Sequence, residues 1–246
     1  MNRHHGGSAV HADTAWKYQR VKEYDDWYKT GLGRLCLEME SKAIFDLAAI
    51  KPDETALDLG CGTGVFSLEA ARRGARTIGV DNSPPMLAIA AAKVEGTALP
   101  ISFLKADAES LPFASQSLDL ALVITALCRV SRPEVVLREA YRVLKPGGRL
   151  VIGELNRNSY WAWLRRIKAL FMESSYRHAN FISPGELEKL LKGAGFIPAS
   201  QASLIYFPPL DIKLFLNRSG WFEAIGNRLT PNGGAFLTAR GDKIKS

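Results

Sequence analysis

Residues 56–64 read Ala56-Leu-Asp-Leu-Gly-Cys-Gly-Thr-Gly64, and a second apolar run, Arg76-Thr-Ile-Gly-Val80, ends on Asp81. An apolar run, a glycine-rich turn and then helical spacing predict strand, tight loop and helix. That arrangement sets bare backbone beside a ligand at a helix N-terminus. A carboxylate closing the next strand is placed to grip a ribose diol. The glycines fall at 60, 62 and 64 behind an acidic residue, Asp58. The dinucleotide fingerprint G-x-G-x-x-G needs its third glycine at 65, where Val65 stands. The spacing therefore points away from a nicotinamide dinucleotide.

Outward from this unit the pattern alternates. Strands are expected at 55–59, 76–80, 101–105, 118–124 and 149–154, with helices at 63–73, 84–93 and 133–144 and a covering helix over 34–50. Such alternation implies a parallel sheet with right-handed crossovers. Pro133 suits the first turn of its helix, and Pro146-Gly147-Gly148 is expected to stop it. Ser183-Pro184-Gly185-Glu186 is a capping box opening a helix to about Lys192. Apolar runs at 202–207 and 235–239 are the expected last strands, with a helix between Asp211 and Gly226.

A chain of 246 residues, 47% hydrophobic and 23% charged, has the composition of one globular domain. Cys36, Cys61 and Cys128 are odd in number and far apart, which offers neither a disulfide framework nor a metal-ligand spacing. Residues 1–15 read as a polar, disordered leader without the apolar core of a signal peptide, and its His4, His5 and His11 as a solvated tract. The longest apolar stretch, Leu118 to Cys128, is too short to span a bilayer. A cytoplasmic, reducing location is expected. The net charge of +7 sits entirely in one half: residues 1–155 hold 19 bases and 19 acids, and residues 156–246 hold 13 and 6. A basic C-terminal part suits an acidic substrate, an anionic membrane surface or nucleic acid.

Four further stretches extend the opening motif in order: Gly79-Val-Asp-Asn-Ser-Pro-Pro-Met-Leu87, Ala106-Asp-Ala-Glu-Ser-Leu-Pro-Phe113, Ser117-Leu-Asp-Leu-Ala121 and Glu139-Ala-Tyr-Arg-Val-Leu-Lys-Pro-Gly-Gly-Arg-Leu150. Together they resemble the class I S-adenosylmethionine-dependent methyltransferases, in particular the ubiquinone and menaquinone C-methyltransferase-like group of small-molecule enzymes. The resemblance is strong over residues 20–155. It implies a Rossmann-like α/β three-layer sandwich, a seven-stranded mostly parallel sheet with an antiparallel C-terminal edge hairpin, and helical lid insertions. It divides residues 16–246 into N-terminal lid helices (20–50), a cofactor core (51–155), a substrate lid (156–195) and C-terminal strands with an inserted helix (196–246).

The resemblance also implies a cofactor and its site. Gly60, Gly62 and Gly64 let the loop approach the methionine moiety, and Asp58 helps receive its ammonium. Asp81 accepts both ribose hydroxyls. Asp107 and the backbone of Ala108 read adenine, and Met86 packs near the adenosine. Cys61, Asn82 and Thr125 complete the set. The methyl donor is already reactive, so the enzyme must align donor and acceptor and exclude water; a base is needed only for a protonated acceptor.

Acceptor-side residues stay open. Cys128 and Arg129 stand where many relatives carry a histidine, and Arg129 meets either a ligand anion or solvent. Cys128 lacks the preceding proline of cytosine C5-methylating enzymes and reads as a small buried hydrophobe. Tyr24 and Tyr28, in Tyr24-Asp-Asp-Trp-Tyr28, either contact ligand or anchor the N-terminal helix. Tyr160, Trp163, Leu164, Ile167, Leu170 and Phe171 share a helical arc flanked by Arg165, Arg166 and Lys168, an amphipathic helix that covers an apolar acceptor, lies on an anionic bilayer or packs on its own domain. His178 is a candidate base. Three functions follow: methylation of a quinone-like or lipid-like small molecule, methylation of nucleic acid, or a cofactor-binding scaffold without turnover. The missing Asn/Asp-Pro-Pro-Tyr motif disfavours the second, and the intact acidic and glycine set disfavours the third.

Overall fold

Two-residue alternation sorts β1 (Thr55–Leu59) between two faces. Leu57 and Leu59 enter a buried cluster with Val136, Leu137 and Leu187; Ala56 enters another with Ile44, Phe45 and Phe66. The sheet is thereby covered on both sides. The structure, a computed structural model, describes residues 21, 23, 25–171 and 180–245. The leader 1–15, Tyr24 and His178 lie outside the described residues.

Around β1 run α1 (Gly31–Ala48), α2 (Val65–Arg72), β2 (Arg76–Asp81), α3 (Pro84–Val94), β3 (Ile101–Lys105), β4 (Leu118–Ile124) and α4 (Pro133–Val143). They are followed by β5 (Leu144–Leu155), α5 (Tyr160–Phe171), α6 (Pro184–Gly193), β6 (Ile197–Leu204), α7 (Lys213–Leu216), α8 (Ser219–Leu229) and β7 (Phe236–Asp242). The seven strands lie in the order β3-β2-β1-β4-β5-β7-β6. The first five are parallel, and β7 pairs antiparallel with both β5 and β6. This is the expected Rossmann-like α/β sandwich with an antiparallel edge. Among the described residues no helix is long and apolar enough to cross a membrane.

Two arginines fix α1 on the sheet. The last carbonyls of a helix lack internal partners and form the negative end of its dipole. Arg149 donates to the carbonyl of Ala48 and, at 3.1 Å, to that of Ala49, while also gripping Glu54 at 3.0 and 2.6 Å. Arg240 reaches the Leu47 carbonyl at 3.1 Å. At the other end Thr30 accepts from the Gly33 N–H, and Asp211 accepts from Gly31 and Leu32. Burial would raise the Glu54 carboxyl, but the Arg149 guanidinium outweighs it and holds that carboxyl below its ordinary value.

Several boundaries need correction. The helix ending in Val143 stops before Pro146-Gly147-Gly148, and those residues form a bulge in β5 instead: Leu118 pairs with Leu144, and Leu120 already with Arg149. The capping box is present, with α6 running to Gly193. The expected strand at 202–207 is displaced, because β6 occupies Ile197–Leu204. Ile205 turns left-handed at φ 69°, and Glu223 takes the N–H groups of Ile205 and Tyr206 at 3.0 and 2.6 Å, drawing them out of the sheet. The expected strand at 235–239 extends to Asp242. The single helix expected at 211–226 is two, α7 and α8, broken at Asn217 and Arg218.

Candidate functional site

The sheet order reverses between β1 and β4, and in parallel sheets of this kind the crevice at the carboxyl ends of those strands receives ligands. The glycine loop sits there. Gly60 and Cys61 donate to the Val80 carbonyl at 2.8 and 3.0 Å, and Gly64 donates to Cys61 at 2.9 Å. All three glycines are left-handed, at φ 69°, 53° and 77°, where a Cβ is strained. Their surroundings differ. A Cβ on Gly60 would stand 2.6 Å from that of Ala126, and one on Gly64 would stand 2.9 Å from the Phe103 ring. At Gly62 the nearest atom is Met86 Sδ, 3.9 Å away. The sequence reading assigned all three to the ligand; packing within the protein already requires Gly60 and Gly64, and at Gly62 alone a Cβ would meet no more than an ordinary contact.

Asp81 bridges loop and strand end. Its Oδ2 accepts from the Gly62 N–H at 2.9 Å and its Oδ1 from the Ser83 N–H at 2.8 Å. Asp58 lies beneath the loop, 2% exposed, with Ser67 Oγ donating to it at 2.5 Å. Burial, aided by the charge of Asp81, pushes its carboxyl up to about 7 against the Ser67 hydrogen bond. An ammonium at this point would be met by a carboxylate that has little solvation to lose. Met86 borders Gly62 and Asn82 is exposed. Asp107 is exposed next to the end of β2, where the Ala106 N–H reaches the Asp81 carbonyl at 3.2 Å, and Ala108 packs on the core. Cys61 turns back over Gly79, and burial raises its thiol, so its side chain is a packing group.

Thr125 follows β4 in a left-handed conformation, φ 49°, with its N–H bonded to the Gly153 carbonyl at 2.7 Å. Left-handed threonine is uncommon, and such strain gathers at functional sites. The following 3₁₀ turn, Leu127–Arg129, buries Cys128 and exposes Arg129. Burial raises the Cys128 thiol, which fits the small-hydrophobe reading. Tyr28 is half-buried, its ring edge-on to Trp27 at 5.1 Å.

Three residues were missed by sequence reasoning. Asp25 accepts from Thr63 Oγ1 at 2.8 Å and pairs with Lys93, whose ammonium also reaches the Thr63 carbonyl at 3.0 Å. Asp25 and Lys93 thus clamp the N-terminal segment to the glycine loop; the signal was Asp25 inside the stretch read for its tyrosines. Glu154, fully buried at the end of β5, accepts from the Leu127 N–H at 2.6 Å and holds the turn after β4. Burial raises its carboxyl to about 7. Its only signal was an acid closing an apolar run.

Comparison with known proteins gives the family. The Methyltransferase domain family, Methyltransf_11, matches residues 57–152. A ubiquinone biosynthesis O-methyltransferase of Cereibacter sphaeroides is 31% identical over 170 residues, 66% of this chain and 69% of that protein. A demethylmenaquinone methyltransferase of Thermus thermophilus is 44% identical over 111 residues, covering 44% of this chain and 50% of that one. The chain spans only 61% of an uncharacterized Mycobacterium tuberculosis relative that it matches at 34% identity. A crystal structure from Thermotoga maritima, described as a SAM-dependent methyltransferase and possible histamine N-methyltransferase, superposes with a TM-score of 0.69 at 29% identity, over 92% of this chain and 97% of that one. The chain belongs to the class I S-adenosylmethionine-dependent methyltransferases, enzymes that use S-adenosylmethionine as methyl donor.

Proposed function

We propose that this enzyme methylates a small acceptor that is apolar and aromatic or anionic, of quinone-like or lipid-like character. The names of the Cereibacter and Thermus relatives support the quinone-like class. One observation carries the site assignment: Asp81 joins the N–H of Gly62, the glycine of the three with room for a Cβ, to the end of β2. The bound donor supplies an already activated methyl group.

In this reading the loop at Gly60, Cys61, Gly62 and Gly64 receives the methionine part, and Asp58 balances its ammonium. Asp81 and Asn82 hold the ribose, Asp107 and Ala108 the adenine, with Met86 and Thr125 bordering them. Carboxylates at Asp58 and Asp81 fit a ligand that carries positive charge. Asp25 and Lys93 keep the N-terminal segment closed on the loop and exclude water. Tyr28 and Arg129 border the acceptor, and His178 takes its proton where it carries one. The core at 51–155 holds the cofactor, the helices of 20–50 lid it, and 156–195 covers the acceptor. A cytoplasmic location and peripheral contact of the basic C-terminal part with an anionic membrane surface belong to the same reading.

Incubation with methyl-labelled S-adenosylmethionine and cell extract tests it. Label in lipid-soluble or aromatic metabolites is the expected result. Label in RNA would replace this reading with nucleic-acid methylation, and no label in any fraction would leave a scaffold.

A further inference from the structure

Among the described residues twelve large apolar side chains are exposed, and nine of them lie on α5 or between residues 210 and 229. Trp163 and Trp221 are 57% and 60% exposed. Clustered exposure of this kind marks an interaction surface. Topology puts both segments at one end. Because β5 and β6 each run antiparallel to β7, they point the same way. The excursion after β6 therefore leaves the sheet where α5 does, at the end that carries the glycine loop. The segments are also joined: Trp161 Nε1 donates to the Phe207 carbonyl at 2.7 Å.

The charge on this face is one-sided. Arg166, Lys213, Arg218 and Arg228 are exposed and have no carboxylate partner among the described residues. The two acids of the excursion are engaged in capping, Asp211 at the start of α1 and Glu223 at Ile205 and Tyr206. Indole and tyrosine rings beside unpaired bases match the boundary of an anionic bilayer, where rings enter the headgroup layer and bases meet phosphates. A second copy of the same face would set bases against bases.

We propose that α5 and the 210–229 excursion dock the enzyme on an anionic lipid bilayer, with the mouth of the site toward the lipid. The docking gives residues to the membrane contact of the proposed function, and the entry of the acceptor from the lipid rests on that function as well. The test is co-sedimentation of the full chain with phosphatidylcholine vesicles, with and without phosphatidylglycerol. Binding should require phosphatidylglycerol and weaken with salt. Arg218→Gln with Arg228→Gln should lower the partition coefficient roughly 30-fold, from about 1 kcal/mol per base. Trp163→Ala with Trp221→Ala should also lower it, while calorimetry shows S-adenosylmethionine binding unchanged in the arginine variant. Equal binding to neutral and anionic vesicles, or none, overturns the proposal. So does a concentration-dependent dimer that the tryptophan variants abolish, which gives the face to a second copy. Vesicle binding with label only in water-soluble metabolites leaves docking standing and overturns the lipid-like acceptor alone.

Discussion

At Gly60 and Gly62 the same left-handed backbone serves different ends. Gly60→Ala drives a methyl group into Ala126 and should cost about 2 kcal/mol or more of stability, read as a lower denaturant midpoint. Gly62→Ala meets only Met86 Sδ at ordinary contact distance, so it should cost about 1 kcal/mol of backbone strain yet weaken cofactor binding more than its stability loss explains. Equal stability losses with equal binding losses would contradict that division. The i+2 spacing of glycines was plain from residues 60–64, but the role of each was not, because Ala126 arrives from the turn after β4 and Phe103 from β3. Asp58 adds a pH effect. Its carboxyl, raised to about 7, is protonated below neutrality and then cannot balance an ammonium. Affinity for S-adenosylmethionine should therefore rise between about pH 6 and pH 8, and Asp58→Asn should flatten that rise.

Elements whose signals are local were legible, and those set by distant partners were not. The β1–α2–β2 unit was clear because strand, turn and helix lie within one stretch of sequence. By contrast β6 is an edge strand with exposed Ser200 and Gln201, and the more apolar Leu204 to Phe207 run leaves the sheet for Glu223, a partner on α8. Arg149 was visible only as the end of a motif, although it ties α1, Glu54 and β5 together. Arg149→Ala strips a buried ion pair and two helix carbonyls of their donor. About 3–5 kcal/mol of stability should be lost, measured by urea unfolding. A loss within the range of surface changes, about 0.5 kcal/mol, would contradict the anchoring of α1.

For the whole molecule, three buried carboxyls set the response to pH. Glu40, Asp58 and Glu154 are raised to about 8, 7 and 7, each chiefly by burial. The native state thus holds protons that the unfolded chain has released above about pH 4.5. Stability from these groups is full below that point and is lost as pH rises through their folded values, so the melting temperature should fall between about pH 5 and pH 8. Glu40→Gln with Glu154→Gln should reduce that slope. A melting temperature that climbs over the same interval would show these carboxyls to be ionised in the native protein. The acidic crevice and the basic face lie at the same end of the sheet, so one charge suits the cationic donor and the other a membrane. Calorimetric titration of S-adenosylmethionine into the wild type and Asp81→Ala tests the site most directly. Binding by the wild type and a dissociation constant at least ~10-fold higher in the variant are expected from one lost charge-assisted bond. Identical affinities, or uptake of a nicotinamide dinucleotide in place of S-adenosylmethionine, would contradict it.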